Sequence, residues 1–365
     1  MDADAEHMRR AIALAEGARR RTPPNPWVGC VLVAGGVVVG AGATRRPGEP
    51  HAEVEALRAA GESARGATAY VTLEPCAHHG RTPPCADALL EAGVARVVVA
   101  IADPDAQVDG AGIARLRAHG VPVDVGVEAD TARRVLAPYL LHRARNRAYL
   151  VLKTAMSLDG RIAARDGSSR WITGAAARAD AHELRADSQA VVVGAGTALA
   201  DRPSLTARDT REPVERPPWR VLLDASGRVP ADGPLFDTSL APTLVVTTPG
   251  APAQATDAWL AAGAKVQAVP PSPDGVDLGA TLELLAGMGV VQAMVEGGGR
   301  LAGAVLAAGL VDRLVVYVAP TILGTGGRAA FDLEGPPTIT GAAPFSLTAV
   351  TRLGDDVRLE YTSSS

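Results

Sequence analysis

Apolar residues along this chain recur with two periods, and the switches between them mark out the elements. From Met8 to Arg19, Ile12, Ala15 and Ala18 fall at helical spacing, and a Pro-rich loop, Thr22-Pro23-Pro24-Asn25-Pro26, follows. Val28 to Val33 and Val37 to Gly40 are short β-rich runs around Ala34-Gly35-Gly36, a hairpin signal. Next come a helix over His51 to Ala60, a strand over Ala69 to Leu73, and a helix over Cys85 to Ala92 opened by Pro83-Pro84. A strand at Val97 to Ile101, a helix at Ile113 to Ala118, a strand at Val121 to Val127 and a closing helix at Thr131 to Arg143 complete the series. A hairpin followed by alternating strands and helices predicts an α/β unit with a mostly parallel sheet and helices on its faces.

The pattern then restarts. Tyr149 to Ala155 reads as a strand and Ala175 to Arg185 as a helix. Ala190 to Val193, Arg220 to Leu223, Thr243 to Thr247 and Lys265 to Val269 read as strands. A helix at Leu278 to Ala286, a strand at Gln292 to Val295 and a helix at Leu301 to Ala308 follow. Leu314 to Val318 and a hairpin near Leu347 to Tyr361 give this half an antiparallel end, while Ala207 to Pro218 and Pro270 to Gly275 read as surface loops. A chain of 365 residues exceeds one ordinary domain. The restart places a boundary at the basic stretch His142 to Arg147, giving domains over 1–146 and 147–365.

Charge and cysteine usage narrow the classes. A net charge of -4 lacks the basic field that nucleic acid would favour, so no nucleic-acid partner is expected. No apolar run is long enough to span a membrane, and Met1 to Glu6 lacks the pattern of a signal peptide. Three cysteines, an odd number, argue against a disulfide framework and for a reducing, cytoplasmic setting.

The strongest chemical signal is His51-Ala52-Glu53, then Pro75-Cys76, then Cys85. Zinc favours imidazole and thiolate ligands, and a catalytic site uses three of them with the fourth position left for water. Bound zinc lowers the pKa of that water to about 7, and a carboxylate must then move its proton to the leaving group. His51 and Cys85 each sit at a predicted helix start, and Cys76 follows a strand. Eight residues separate the cysteines, more than in the generic H-x-E…P-C-x-x-C deaminase signature. Spacing alone does not choose the carboxylate, because Glu55 shares the helical face of His51 while Glu53 is two residues away. Cys30, inside an apolar strand, reads as a buried small hydrophobe.

The stretch Thr72-Leu73-Glu74-Pro75-Cys76-Ala77-His78-His79-Gly80-Arg81-Thr82-Pro83-Pro84-Cys85 closely resembles the bifunctional deaminase/reductases of riboflavin biosynthesis, in which the long insert between cysteines is typical. Asn25-Pro26…Val28-Gly29, Gly48-Glu49-Pro50-His51-Ala52-Glu53, and Asp103-Pro104 with Gly110-Ala111-Gly112-Ile113 match as well, and the likeness runs over roughly residues 6–360. The resemblance implies a cytidine-deaminase-like three-layer domain followed by a dihydrofolate-reductase-like domain. It implies zinc on His51, Cys76 and Cys85, with Glu53 as the proton shuttle. It places Asn25 on the pyrimidine, and His78 and Arg81 near the substrate. Thr44 stands where many relatives have histidine, with Arg45 beside it.

The second half carries Lys153-Thr154-Ala155-Met156-Ser157-Leu158-Asp159-Gly160-Arg161-Ile162-Ala163, Trp171-Ile172-Thr173, His182 with Arg185, Gly194-Ala195-Gly196-Thr197 leading to Asp201, Pro203, Leu205 and Arg208, and Val295-Glu296-Gly297-Gly298-Gly299. These resemble the reductase half of the same family. A strand ending in three glycines before a helix lets backbone N–H groups approach a cofactor pyrophosphate, although G-x-G-x-x-G spacing is missing. The resemblance implies NADPH bound by Ala155, Trp171, Thr197, Asp201, Gly297, Gly298 and Gly299. It implies a ribose-phosphate substrate held by Ser169, Arg185, Leu205, Arg208 and Glu296, since paired arginines suit a phosphate. Lys153 and Asp159 are expected at the pocket border without a fixed role, and Ala225 replaces a serine of some relatives. The expected assembly is a homo-oligomer. Three other readings fit parts of the pattern: a deaminase of another base, a protein whose zinc has four protein ligands and only structural work, and a single-activity enzyme whose deaminase half is damaged by Thr44.

Overall fold

The computed structural model describes residues 2–78, 83–105 and 108–363. The chain divides into two compact units, Met1–Asn146 and Arg147–Ser365. Among the described residues no helix is long and apolar enough to cross a membrane.

The first unit runs α1 (Asp2–Ala18), β1 (Gly29–Ala34), β2 (Val37–Ala43), α2 (Ala52–Ala60), β3 (Thr68–Val71), α3 (Cys85–Glu91), β4 (Arg96–Val99), α4 (Ala111–Ala118), β5 (Val123–Val125) and α5 (Ala129–Arg145). Strand order is β2-β1-β3-β4-β5. Only β3-β4-β5 is parallel; β1 pairs antiparallel with both β2 and β3. The expected mostly parallel sheet is therefore half antiparallel. The hairpin reverses β2, and α2 then carries the chain past β1 so that β3 lands on β1's other side. Helices cover both faces, and glycines set how closely. A Cβ on Gly29 would meet the Ala11 carbonyl of α1 at 1.9 Å, and one on Gly40 would meet the Ala56 carbonyl of α2 at 2.3 Å. Helix α1 buries Met8, Ala11, Ile12, Ala15 and Ala18. It starts six residues before its apolar stripe, in an acidic turn suited to a helix N-terminus, where Asp4 is held by Arg96 and Tyr70.

The second unit runs β6 (Tyr149–Ser157), β7 (Arg161–Ala163), α6 (Ala175–Ala186), β8 (Ala190–Gly194), α7 (Ala195–Asp201), β9 (Trp219–Leu223), β10 (Thr243–Thr247), α8 (Ala253–Ala261), β11 (Lys265–Ala268), β12 (Pro271–Ser272), β13 (Gly275–Val276), α9 (Leu278–Gly287), β14 (Gln292–Glu296), α10 (Gly299–Ala307), β15 (Arg313–Ala319), β16 (Arg328–Ala329), β17 (Phe345–Leu353) and β18 (Asp356–Ser363). The main sheet has order β11-β10-β9-β8-β14-β6-β15-β18-β17. It is parallel from β11 to β15 and antiparallel over β18 and β17. Parallel strands covered on both faces read as unbroken apolar runs, and Leu150, Leu152, Val192, Val221, Val246 and Val295 form one such core. Two helices escape the periodic pattern: α7, two turns of mostly small residues, and α8, which buries only Trp259. The segment expected as a loop at Pro270 to Gly275 holds the short β12-β13 hairpin.

Candidate metal centre and cofactor cleft

Three chain segments bring the first site together. His51 is the residue before α2, Cys76 lies in the turn after β3, and Cys85 opens α3. Their ligand atoms all lie within 4.8 Å of one another. His51 Nδ1 is 3.8 Å from Cys76 Sγ and 3.3 Å from Cys85 Sγ. A tetrahedral zinc ion with ordinary bond lengths separates a nitrogen from a sulfur ligand by about 3.6 Å, so the triangle fits the metal and leaves a fourth position. The Cys85 backbone N–H also donates to Cys76 Sγ at 3.3 Å. Hydrogen bonds from Cys85 and His51 pull the Cys76 thiol down to about 4, so this sulfur carries the first negative charge. Cys85 is pushed up by its bond to Cys76 and by burial.

The structure separates the two carboxylates that spacing left equal. Glu55 is taken by Arg45 at 2.5 Å and Arg58 at 3.1 Å. Glu53 is 3% exposed and faces His51, Cys76 and Cys85. Burial raises its carboxyl to about 7 against the opposing pull of His51, which keeps it close to balance between holding and releasing a proton near neutral pH. Asn25 sits half buried in the turn before β1, and His78 is exposed two residues beyond Cys76. Arg81 lies outside the described residues. Thr44 does not stand free at the site: its hydroxyl accepts from the Val28 N–H at 3.2 Å. Arg45, its neighbour, is turned to Glu55.

Behind the metal turn, Glu74 is 4% exposed and accepts four backbone N–H bonds, from Asp103, Gly110, Gly112 and Ile113. A Cβ on Gly112 would meet the Pro75 carbonyl at 1.8 Å. The start of α4 is thus fixed against the turn that carries Cys76. Both residues belong to matched motifs, but nothing local in the sequence showed that they meet.

The second site is a cleft of about 1790 Å³ in the other unit. It opens at the carboxyl ends of parallel strands, where ligands bind in α/β sheets. Lys153, Thr154 and Ala155 enter from β6, Gly194 to Thr197 follow β8, Ala225 follows β9, and Glu296 to Gly299 end β14. The turns after β8 and β14 are tied together, since Gly298 N–H donates to Thr197 Oγ1 at 3.0 Å. A Cβ on Gly299 would sit 2.3 Å from the Ala329 carbonyl, and one on Gly303 2.1 Å from the Asp332 carbonyl. Gly299 therefore also serves the packing of α10 on residues 329–332, and all three glycines line the open cleft. Trp171, 67% exposed, presents a broad apolar face there with the Arg178 guanidinium 4.7 Å from its ring. The strand-end turns and this exposed ring fit a dinucleotide.

One end of the cleft is organised around Glu296. Arg185 donates two bonds to it, at 2.8 and 2.9 Å, and Lys153 a third at 3.1 Å. Arg185 also donates to the Thr206 carbonyl at 3.0 Å, on the loop that carries Leu205 and Arg208. Leu205 is held at φ +52°, a left-handed conformation rare for a branched side chain. Arg208 is exposed, near the Ser204 and Thr206 hydroxyls. Ser169 and Asp201 also line the cleft. Asp159 is not among the lining residues; it accepts from the Leu323 and Gly324 N–H groups and from the Ser157 hydroxyl. The cleft gathers further residues to which the motifs gave no role, notably His182, Tyr317 and Arg228. His182 lies one turn before Arg185, a spacing that a helical reading of α6 could have used. Burial lowers its pKa, helped by Arg185 and Arg208.

Burial alone would raise the Glu296 carboxyl, but Lys153 and Arg185 outweigh it and hold it well below the usual range. A depressed folded pKa contributes stability above the ordinary carboxylate value and loses it only as pH falls through the folded value. At neutral pH the Glu296 carboxyl is therefore ionised. Glu296→Gln should leave two buried cations unpaired and destabilise this unit by about 3 kcal/mol in urea unfolding at pH 7. An unchanged unfolding midpoint would contradict the cluster's structural weight.

Metal triangle and cleft together define a chain with two enzyme units, a zinc-type deaminase and a dinucleotide-dependent reductase. Family models agree: residues 1–101 match the cytidine and deoxycytidylate deaminase zinc-binding region, and residues 148–359 match the RibD C-terminal domain. The riboflavin biosynthesis protein RibD of Chlamydia trachomatis is 46% identical, over 88% of this chain and 85% of its own length. That of Escherichia coli is 41% identical over 98% of each chain. Among solved structures, Acinetobacter baumannii RibD superposes with TM-score 0.89 at 38% identity, covering 100% of this chain and 99% of its own. A diaminohydroxyphosphoribosylaminopyrimidine deaminase/5-amino-6-(5-phosphoribosylamino)uracil reductase of Thermotoga maritima does so with TM-score 0.86 at 30% identity, covering 99% of each chain. The chain belongs to the RibD family of bifunctional riboflavin-biosynthesis deaminase/reductases.

Proposed function

We propose that the first unit removes an amino group hydrolytically from 2,5-diamino-6-ribosylamino-4(3H)-pyrimidinone 5′-phosphate, and that the second reduces the ribosyl chain of the product to ribityl with NADPH. His51, Cys76 and Cys85 hold zinc, which supplies an activated water at neutral pH. Glu53 takes the proton from that water and returns it to the departing ammonia, aided by burial that keeps its two protonation states close in energy. Asn25 and His78 bind the pyrimidine phosphate substrate, with Arg81 near its phosphate. The observation that carries this reading is one imidazole, two thiols and one buried carboxylate in a single cluster. Among the described residues, the groups within ligand distance of one another are His51, Cys76 and Cys85.

In the second unit NADPH supplies the hydride, and the protein's work is to hold donor and acceptor in register. Ala155, Trp171, Thr197, Asp201 and the turn at Gly297 to Gly299 take the cofactor side. Ser169, Leu205 and Arg208 take the ribosyl phosphate, with Arg185 and Glu296 fixing the loop and the reacting end. Arg208 is the exposed arginine of that pair and donates only to the Ser204 and Thr206 hydroxyls among the described residues, whereas Arg185 is engaged by Glu296 and the Thr206 carbonyl. Arg208→Ala should therefore raise the reductase KM for its substrate about ten- to a hundredfold with little change in NADPH affinity. Steady-state reduction of the deaminated substrate, with each ligand varied in turn, checks this. Equal losses for both ligands would remove Arg208 from the phosphate site.

A further inference from the structure

His182 lies on α6 one turn before Arg185, a spacing that puts both side chains on one helix face, and both line the cleft. Its Nδ1 is buried and makes no hydrogen bond among the described residues, so the protein offers no acceptor there for a second ring proton. The charges that act on the imidazole come from three elements: Arg185 on its own helix, Arg208 on the loop after α7, and Glu296 at the end of β14. Lys153, on β6, joins them through Glu296. Other charged groups of α6 are engaged elsewhere. Arg178 is turned to the Thr173 carbonyl and the Trp171 ring, Asp180 is held by Tyr317 and Arg358, and Glu183 accepts from the Arg211 N–H.

These charges decide the state of the imidazole. Glu296 is the one carboxylate in the set, and its oxygens already accept twice from Arg185 and once from Lys153. A proton on His182 would add a cation to a group that holds three cations against one anion. Burial, then Arg185 and Arg208, accordingly lower the pKa of His182, and the opposite pull of Glu296 and of the Thr206 main chain is outweighed. A phosphate ester reverses the balance. It carries about −1.5 to −2 charge at pH 7, which cancels the surplus that opposes the proton, and it brings acceptor oxygens as well. An opposite charge about 4–6 Å away favours the charged form of a titrating group by roughly 10- to 1000-fold. Imidazole titrates close enough to neutral pH for such a factor to change its state.

We propose that His182 takes up a proton from solvent as the ribosyl phosphate of the substrate binds, and so becomes a further cation beside Arg185 and Arg208. The proposal rests on the reading of this end of the cleft as the substrate-phosphate site. Its sign follows from the linkage: the protonated form binds the phosphate better, so affinity falls as pH rises through the range in which the bound form still holds the proton and the free form does not. The full zinc-loaded chain is titrated calorimetrically near pH 7.5 with ribose 5-phosphate and with ribose, in buffers of different ionisation enthalpy, which counts protons directly. Ribose 5-phosphate should bind with proton uptake and ribose should not. In His182→Gln, which stays polar but cannot titrate, the uptake should fall by about half a proton or more. In steady-state reduction of the deaminated substrate, the wild-type KM should rise about threefold or more from pH 7 to pH 8, and that of His182→Gln less than about twofold, with kcat following the same course in both. Phosphate-dependent binding by the wild type without proton uptake overturns the proposal, and so does uptake that is undiminished in the variant or a KM that climbs equally in both; each leaves the phosphate reading standing. A wild-type chain that binds ribose as well as ribose 5-phosphate removes the phosphate reading and the role of His182 with it.

Discussion

Glu53→Gln should stop ammonia release almost completely while zinc stays bound and NADPH oxidation continues. Glutamine keeps the size of the side chain and removes the group that can carry a proton. Proton transfer by a positioned side chain contributes about 10²–10⁴-fold, so deaminase kcat should drop by that range. Glu55, the other carboxylate that spacing offered, is not placed to substitute, because it is engaged by Arg45 and Arg58. Ammonia release, zinc content by atomic absorption, and reduction of pre-deaminated substrate are read on the same preparation. Deamination at the wild-type rate would show that another group moves the proton, and loss of zinc would make Glu53 part of the metal site.

Metal removal should have the second large effect. Chelation, or Cys85→Ala, takes away the group that makes water reactive at neutral pH, so deamination should fall to background. Returning zinc should restore the chelated wild type but not the variant. Cys85 opens α3 and donates its backbone N–H to Cys76, a bond that alanine keeps, so the variant removes one sulfur ligand without removing that tie to the other. Reduction should survive, since the reductase unit has a core of its own, built from Leu150, Leu152, Val192, Val221, Val246 and Val295. A reductase that dies with the metal would mean that the two activities are not separable in this way.

Local pattern carried most of the fold, and it failed where the deciding partner is distant in sequence. His51, Cys76 and Cys85 were legible because their neighbours form a recognisable stretch. The choice between Glu53 and Glu55 was not legible from spacing; it depends on Arg45 folding back from the end of β2. Arg185 taken alone resembles an ordinary helix-face arginine, yet its fork lies on Glu296, 111 residues away. Gly299 lines the cleft where the glycine turn was expected, but its close approach to the Ala329 carbonyl had no signal in the sequence. Asp159 was expected at the pocket and instead caps the turn at Leu323 and Gly324. Helices α7 and α8 lacked an apolar stripe, so periodicity could not find them. The half-antiparallel first sheet followed from which side of β1 the chain returns to, a choice that an order of strands and helices leaves open.

The central claim is that two chemical steps occur in order on one chain, the first at a zinc centre and the second at a dinucleotide cleft. Purified zinc-loaded protein is given the diaminopyrimidine ribosylamino phosphate, first without NADPH and then with it, while ammonia and NADPH absorbance are followed together. Ammonia should appear without NADPH, and NADPH added afterwards should be consumed mole for mole with the ammonia already released. No ammonia from zinc-loaded protein, or NADPH oxidised while the amino group is still in place, would contradict the account.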